Sequence, residues 1–409
     1  MTLSALGSLR SPRAGAEPWP SPSARAGFCG VAITLAVLLL SASPALAHGE
    51  AVQEAFIRTR SVAFFDTRFS ETNLTAGEEL KLSGKVKVLE TWPDSILPPP
   101  EFGQIGVYAA GPTFVLKNRE VNGAPLSGSF KIEKGGLYAY NLTLVARRPG
   151  TWHVHPVMAS KGAGGLLGPG AVARIAESPA GFSNPVTLAS GERVDLENYG
   201  LGTVAGWSAL QLGFGLAWFL WWARKPQLAR LGRVAKGEGE GLIAPRDVKA
   251  GTALAIGVAV AIVGGYAYAG EAYPDPIRLQ VDRPRIEPLA EPPPAAQVSR
   301  DGPARFTPPE LLQFRLKVLN RGESVLEASR LVVGSDTFEK GDGRLTVSGG
   351  PVPPGERRTL EFALADPVLS KLIPVGEPLH AFGGLLFFED AAGNRTWNTL
   401  DLRVIPGFR

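Results

Sequence analysis

Thiols are nearly absent from this 409-residue chain: Cys29 is its single cysteine, and it lies ahead of an apolar run in what reads as an export leader. A mature chain without that residue holds no disulfide, zinc ribbon, iron–sulfur cluster, cysteine nucleophile or thiolate-ligated blue-copper site. Its stability must come from packing, a membrane or partners. A strong charge excess is missing too. The formal net charge is +4, and it falls to +2 without the leader, in which Arg10, Arg13 and Arg25 stand against Glu17. Nothing in that balance points to nucleic acid. The Gly-rich run from Gly162 to Gly170 lacks the Lys and Ser/Thr of a phosphate loop and reads as irregular backbone. No grouping of serine, histidine and carboxylate suggests a hydrolase. Histidine is scarce at four residues and methionine at two, so any pairing of histidines carries information.

The leader itself is well formed. Three arginines precede an apolar stretch from Val31 to Leu40, followed by small residues and Pro44 up to Ala47, the layout of a secretory signal peptide over residues 1–47. Ten apolar residues are too few to span a bilayer, which argues against an uncleaved anchor. Cleavage after Ala45-Leu46-Ala47 makes His48 the first residue of the mature protein. An N-terminal histidine offers its free α-amino group and a ring nitrogen to one metal ion.

Two stretches without charged residues, Val204 to Ala223 and Gly251 to Ala269, have the length of transmembrane helices, with expected bounds of 204–223 and 250–270. The first carries Trp207, Trp218, Trp221 and Trp222 toward its ends; the second is built of Gly, Ala, Val and Ile, suited to close helix contact. A buried hairpin of a soluble protein is the plain alternative. Between them, residues 224–249 hold Arg224, Lys225, Arg230, Arg233, Lys236, Arg246 and Lys249 against Glu238, Glu240 and Asp247, which places this loop in the cytoplasm and both flanking regions outside.

The flanking regions read as β. Residues 48–203 contain period-two segments at Leu80 to Val88, Gly106 to Tyr108, Thr113 to Leu116 and Tyr138 to Val145, spaced by Gly and Pro clusters. Residues 271–309 form a linker whose stretch from Arg283 to Pro309 is too proline-rich for regular structure. The last region, 310–409, repeats the β style at Leu311 to Leu319, Ser329 to Val333, Leu345 to Val347, Arg358 to Leu364, Leu385 to Phe388 and Leu400 to Val404. The expected fold class is mainly β with two transmembrane α-helices, as two β-sandwich domains flanking a helical hairpin.

Within Trp152-His153-Val154-His155, residues two apart on a strand point to one face and can hold one ion together. His48 could complete a set of nitrogen donors, which favours Cu(II) over Ni(II) or Zn(II) in an oxidising outer compartment. Two solvent-facing strand histidines are the plain alternative. Met158 could be an axial neighbour, with core filler the plainer role. His380 has no second ligand nearby in sequence.

The leader ending before His48-Gly49-Glu50, the string Arg147-Arg148-Pro149-Gly150-Thr151-Trp152-His153-Val154-His155, Gly168-Pro169-Gly170, Asn184-Pro185-Val186-Thr187 and Val194 to Tyr199 together resemble the B subunit of the copper membrane monooxygenases. That is the family of particulate methane monooxygenase and ammonia monooxygenase. The resemblance implies two cupredoxin-like domains around the helix pair. It implies copper held by His48, through amino group and ring, and by His153 and His155, and it leaves open whether oxygen is activated at this copper or at one held by a partner subunit. A further histidine of some members, fifteen positions after the first, falls here on Ala63, so no second copper of that kind is expected. Implied partners are two multispanning membrane subunits, of the A and C types, in a trimer of three-chain protomers in a bacterial inner or intracytoplasmic membrane. Both β-domains would be periplasmic, and O2 would oxidise methane, ammonia or a short alkane. A membrane-anchored copper carrier with an N-terminal histidine brace, the runner-up, needs neither the second β-domain nor the Trp-His-x-His string. A secreted polysaccharide oxidase would have no use for two transmembrane helices.

Overall fold

The computed structural model describes residues 55–274, 284–373 and 380–406. A short helix, α1 (Ala55–Arg60), leads into β1 (Val62–Phe69), β2 (Asn73–Thr75), β3 (Glu79–Val88), β4 (Phe102–Ala109), β5 (Phe114–Val121) and β6 (Ala124–Pro125). Then come β7 (Phe130–Lys131), β8 (Leu137–Ala146), β9 (Gly150–Ser160), β10 (Gly164–Leu167) and β11 (Ala171–Ala176). These strands form two sheets, ordered β1-β3-β8-β5-β6 and β2-β11-β9-β4-β7, with β10 paired to β9. Alternation builds the sandwich: Tyr138, Tyr140 and Leu142 of β8 point inward and meet Ile105, Phe130 and Met158 of the other sheet in one apolar cluster. The run from Gly162 to Gly170, expected to be irregular, contains β10, whose Leu166 pairs with Met158 and is itself buried.

A hairpin of β12 (Pro185–Thr187) and β13 (Arg193–Asp195) links the sandwich to α2 (Leu201–Ala223), α3 (Gln227–Ala235) and α4 (Pro245–Ala272). Asp195 explains the tight turn. Its carboxylate accepts from the backbone of Asn184 at 2.9 Å and of Glu197 at 3.0 Å, and these bonds hold the group below the usual carboxylate range. Arg147 clasps Glu197 through two nitrogens at 2.7 and 3.0 Å, and the Tyr199 ring lies edge-on to Tyr273 at 5.3 Å. The segment from Asn184 to Tyr199 therefore fastens the sandwich to the helix pair.

With 23 and 28 residues, α2 and α4 are long and apolar enough to cross a bilayer. Rings of one helix lie on glycines of the other: a Cβ added at Gly265, Gly257 or Gly251 would sit 3.3 to 3.4 Å from Trp207, Phe214 or Trp218, respectively. That is the close approach which small residues permit where apolar burial gives no net drive. Polar contacts hold both ends. Tyr273 Oη donates to Thr203 Oγ1 at 2.6 Å, and at the other end Asp247 accepts from Trp221 Nε1 at 3.1 Å and pairs with Lys225.

The last region contains β14 (Ala296–Arg300), β15 (Ala304–Thr307), β16 (Leu311–Asn320), β17 (Glu327–Val333), β18 (Asp336–Glu339), β19 (Leu345–Ser348) and β20 (Arg357–Ala365). It closes with helix α5 (Leu369–Leu372), β21 (His380–Glu389) and β22 (Arg395–Pro406). Nine strands share one hydrogen-bonded sheet that wraps a single apolar cluster. The linker expectation needs correcting, because β14 and β15 fall inside it. Prolines at 292–294, 303, 308 and 309 bracket two proline-free pieces, and β14 pairs in full register with β16. Nor does the linker hang free ahead of them: Ile286 is buried in the first sandwich and the Leu289 amide donates to the Leu137 carbonyl.

The two β regions share a core. Both faces of the first half of β1 are covered: Val62 and Phe64 face the sandwich interior, while Ala63 and Phe65 join Leu89, Leu137, Val332, Leu385 and Phe387. Phe65 meets Phe387 edge-on at 5.3 Å. Beside this contact the buried Lys87 ammonium reaches Glu90 at 2.8 Å and Glu291 at 2.5 Å; Trp397 Nε1 donates to Glu291 at 2.9 Å and Thr399 Oγ1 to Glu90 at 2.6 Å. Burial alone would raise the Glu90 carboxyl, but the bonds from Lys87 and Thr399 outweigh it and hold the group below its ordinary value.

Two outcomes follow from this junction. Phe387→Ala should lower folding stability by about 3–5 kcal/mol, read as a fall in the thermal midpoint, and an unchanged midpoint would remove the shared core from the account. A depressed folded-state pKa adds stability that is present above the unfolded value and is lost as pH falls through the folded one. The melting temperature should therefore drop on acidification below the ordinary glutamate range, and Lys87→Met should flatten that acid limb. A limb of equal steepness in the variant would contradict the Glu90 assignment.

Candidate metal centre

Strand β9 fixes the directions of the two histidines. Val154 and Met158 point into the apolar interior, so His153 and His155 stand together on the opposite face. Met158 thus lies in the core, on the far side of the sheet from the pair. Across the neighbouring strands, Tyr108 of β4 stands in register with His155 and Val172 of β11 with His153, both exposed.

The two rings differ in environment. His153 is exposed, whereas His155 is 3% exposed despite facing outward, because the turn after β10 folds over it. Nδ1 of His155 lies 2.7 Å from the Gly168 carbonyl oxygen, and Nε2 lies 3.0 Å from Nδ1 of His153. A carbonyl only accepts, so Nδ1 of His155 donates; its Nε2 then accepts from His153 Nδ1. The rings meet edge-on at 4.3 Å between centroids. Gly170 makes this cover possible. A Cβ there would overlap the His155 ring, coming within 2.7 Å of both ring nitrogens.

Two imidazole nitrogens 3.0 Å apart suit adjacent ligands of one ion: at imidazole–metal lengths of about 2.0–2.1 Å they subtend roughly 90–100°. The donors are nitrogen only, with no thiolate beside them, a set suited to Cu(II), Ni(II) or Zn(II). The hydrogen bond that His153 Nδ1 donates to His155 Nε2 joins the two nitrogens that would hold such an ion. Among the described residues no group of three or more metal-ligating side chains converges. The expected third residue, His48, lies outside the described residues. His380 opens β21, opposite Val404 in the second β region. Ala63 is fully buried in the core shared by the two β regions.

Sequence reasoning located the pair but not its cover. The Gly168 carbonyl and the Gly170 approach have no side-chain signature beyond the glycines themselves, and Tyr108 enters only through strand register.

The fold and site together define a mainly β protein with two helices long and apolar enough to cross a bilayer and an outward-facing histidine pair. The chain belongs to the monooxygenase B-subunit protein family, whose model matches residues 49–408. It is 32% identical over 402 residues to the particulate methane monooxygenase alpha subunit of Methylococcus capsulatus (strain ATCC 33009 / NCIMB 11132 / Bath), spanning 93% of this chain and 96% of that one. Among solved structures, the cupredoxin domain of amoB from Nitrosocaldus yellowstonii covers 30% of this chain and 92% of its own length at 20% identity. Its TM-score of 0.25 is too low to carry an argument.

Gly170→Ala tests the cover. The added methyl must displace the His155 ring, and overpacking of this kind costs about 1–3 kcal/mol. A lower thermal midpoint is the expected result, and a melting curve identical to the parent's would show that the turn does not press on the ring.

Proposed function

We propose that the chain is the copper-holding subunit of a membrane monooxygenase complex that oxidises methane, ammonia or a short-chain hydrocarbon with O2. The observation that carries this reading is the convergence of His155 Nε2 and His153 Nδ1 within 3.0 Å on the outer face of β9. Membership of the monooxygenase B-subunit family and the likeness to a methane monooxygenase subunit supply the reaction class. Copper supplies the redox chemistry when bound.

His48 completes the ligand set through its α-amino group and ring, exposed by removal of residues 1–47. The chain's own residues bind and orient. The Gly168 carbonyl accepts a hydrogen bond from Nδ1–H of His155 and so leaves Nε2 as its ligating nitrogen. Binding displaces the proton between the rings and requires a neutral amino group, so affinity falls as pH drops. No catalytic step is assigned to these residues. The basic segment between the two helices lies in the cytoplasm by the positive-inside rule, which puts both β regions in the periplasm. Two membrane subunits, of the A and C types, complete the complex as a trimer of three-chain protomers.

In the purified complex, His153→Ala and His155→Ala should each remove the copper attributable to this subunit, counted by elemental analysis against protein. The mature chain should begin at His48 by intact mass. Undiminished copper in both variants would overturn the ligand assignment, and a retained leader would overturn the amino-group chelate.

A further inference from the structure

The segment joining the two membrane helices contains a structure that the monooxygenase reading does not use. At about 1.5 Å per residue, α2 and α4 each take up the full hydrocarbon thickness of roughly 30 Å. Residues 224–244 therefore begin and end at headgroup level, and only three residues separate α3 from α2. Within them α3 is amphipathic. Arg230 and Arg233, three apart, share one face, while Leu231 and Val234, also three apart, share another and are 66% and 59% exposed. Two large aliphatic side chains left open at that depth match an acyl boundary better than water.

The cations point the same way. Lys225 is used internally, by Asp247 and by the Trp222 face at 4.5 Å. Arg230 stacks its guanidinium on Trp222 at 5.0 Å, and its buried Nη1 has no hydrogen-bond partner. Among the described residues Arg224, Arg230, Arg233 and Lys236 meet no carboxylate, and Arg233 and Lys236 are exposed. Four uncompensated cations beside an exposed aliphatic face, held at the membrane surface by a spanning helix on either side, complement the phosphates and upper acyl chains of anionic phospholipids. We infer that α3 is an interfacial helix, with Leu231 and Val234 seated in the bilayer surface and Arg224, Arg230, Arg233 and Lys236 bound to anionic lipid headgroups.

Because Cys29 is the only cysteine, site-directed spin labelling reads this directly. In a Cys29→Ser background, Leu231→Cys, Val234→Cys and, as an aqueous reference, Gly239→Cys are nitroxide-labelled. The whole complex is then placed in nanodiscs of phosphatidylcholine alone or with phosphatidylglycerol, and its relaxation by O2 is compared with that by a water-soluble nickel chelate. With phosphatidylglycerol present, labels at 231 and 234 should be relaxed more by O2 and the label at 239 more by nickel. Without it, or with Arg233→Glu and Lys236→Glu together, the labels at 231 and 234 should shift toward nickel. Equal nickel access at all three positions would overturn the inference, as would indifference to both lipid charge and charge reversal. Shielding of 231 and 234 from both relaxants in either disc would also overturn it, by assigning the face to a protein partner.

Discussion

A strand residue can point only two ways, and the core positions of β9 decide which way its histidines face. Val154 and Met158 are fully buried in the sandwich, so His153 and His155 emerge together on the other side. A one-residue slip would send both rings into the apolar interior and bring Val154 out. The position of the histidine pair is thus specified first by hydrophobic packing on the opposite face and only then by the imidazoles. The turn at Gly168 adds the finer term. It buries one ring, fixes its tautomer through a 2.7 Å bond and leaves the other ring exposed to meet a ligand from elsewhere.

The same economy joins the regions. The first half of β1, Val62 to Phe65, has no solvent face, because its two sides serve two cores; Ala63, where some relatives are expected to carry a histidine, lies on the side packed against Val332 and Leu385. Lys87 links the first sandwich, the linker and the second β region through two carboxylates. The segment around Asp195 and Glu197 then couples the sandwich to the membrane helices. The histidine pair on β9 is therefore held in a continuous framework that extends to the helix pair, beside which α3 is inferred to sit among lipid headgroups.

Much of this was legible in the residues. Strands with one wet face, such as β8 and β16, show period-two patterning that marks their ends to within a residue. Both helices are unmistakable by length, although the second begins at Pro245, ahead of its apolar run, because Asp247 accepts from the Ala244 amide at 3.0 Å. Other parts give no such signal. β1 reads Val-Ala-Phe-Phe because both faces are buried, so alternation vanishes. β14 and β15 hide between prolines that bracket them rather than interrupt them. At the centre, Trp-His-Val-His announced itself, while its cover depends on a backbone carbonyl and on the absence of a Cβ, neither of which a side-chain pattern displays.

The central claim is that an N-terminal histidine joins the β9 pair around one copper ion. It is tested most directly by electron paramagnetic resonance of the copper-loaded complex, comparing the mature chain with a form carrying one extra alanine ahead of His48. The account predicts loss or marked change of the nitrogen-ligated copper signal, because the extension turns the α-amino donor into an amide. An identical spectrum at equal copper content would contradict it.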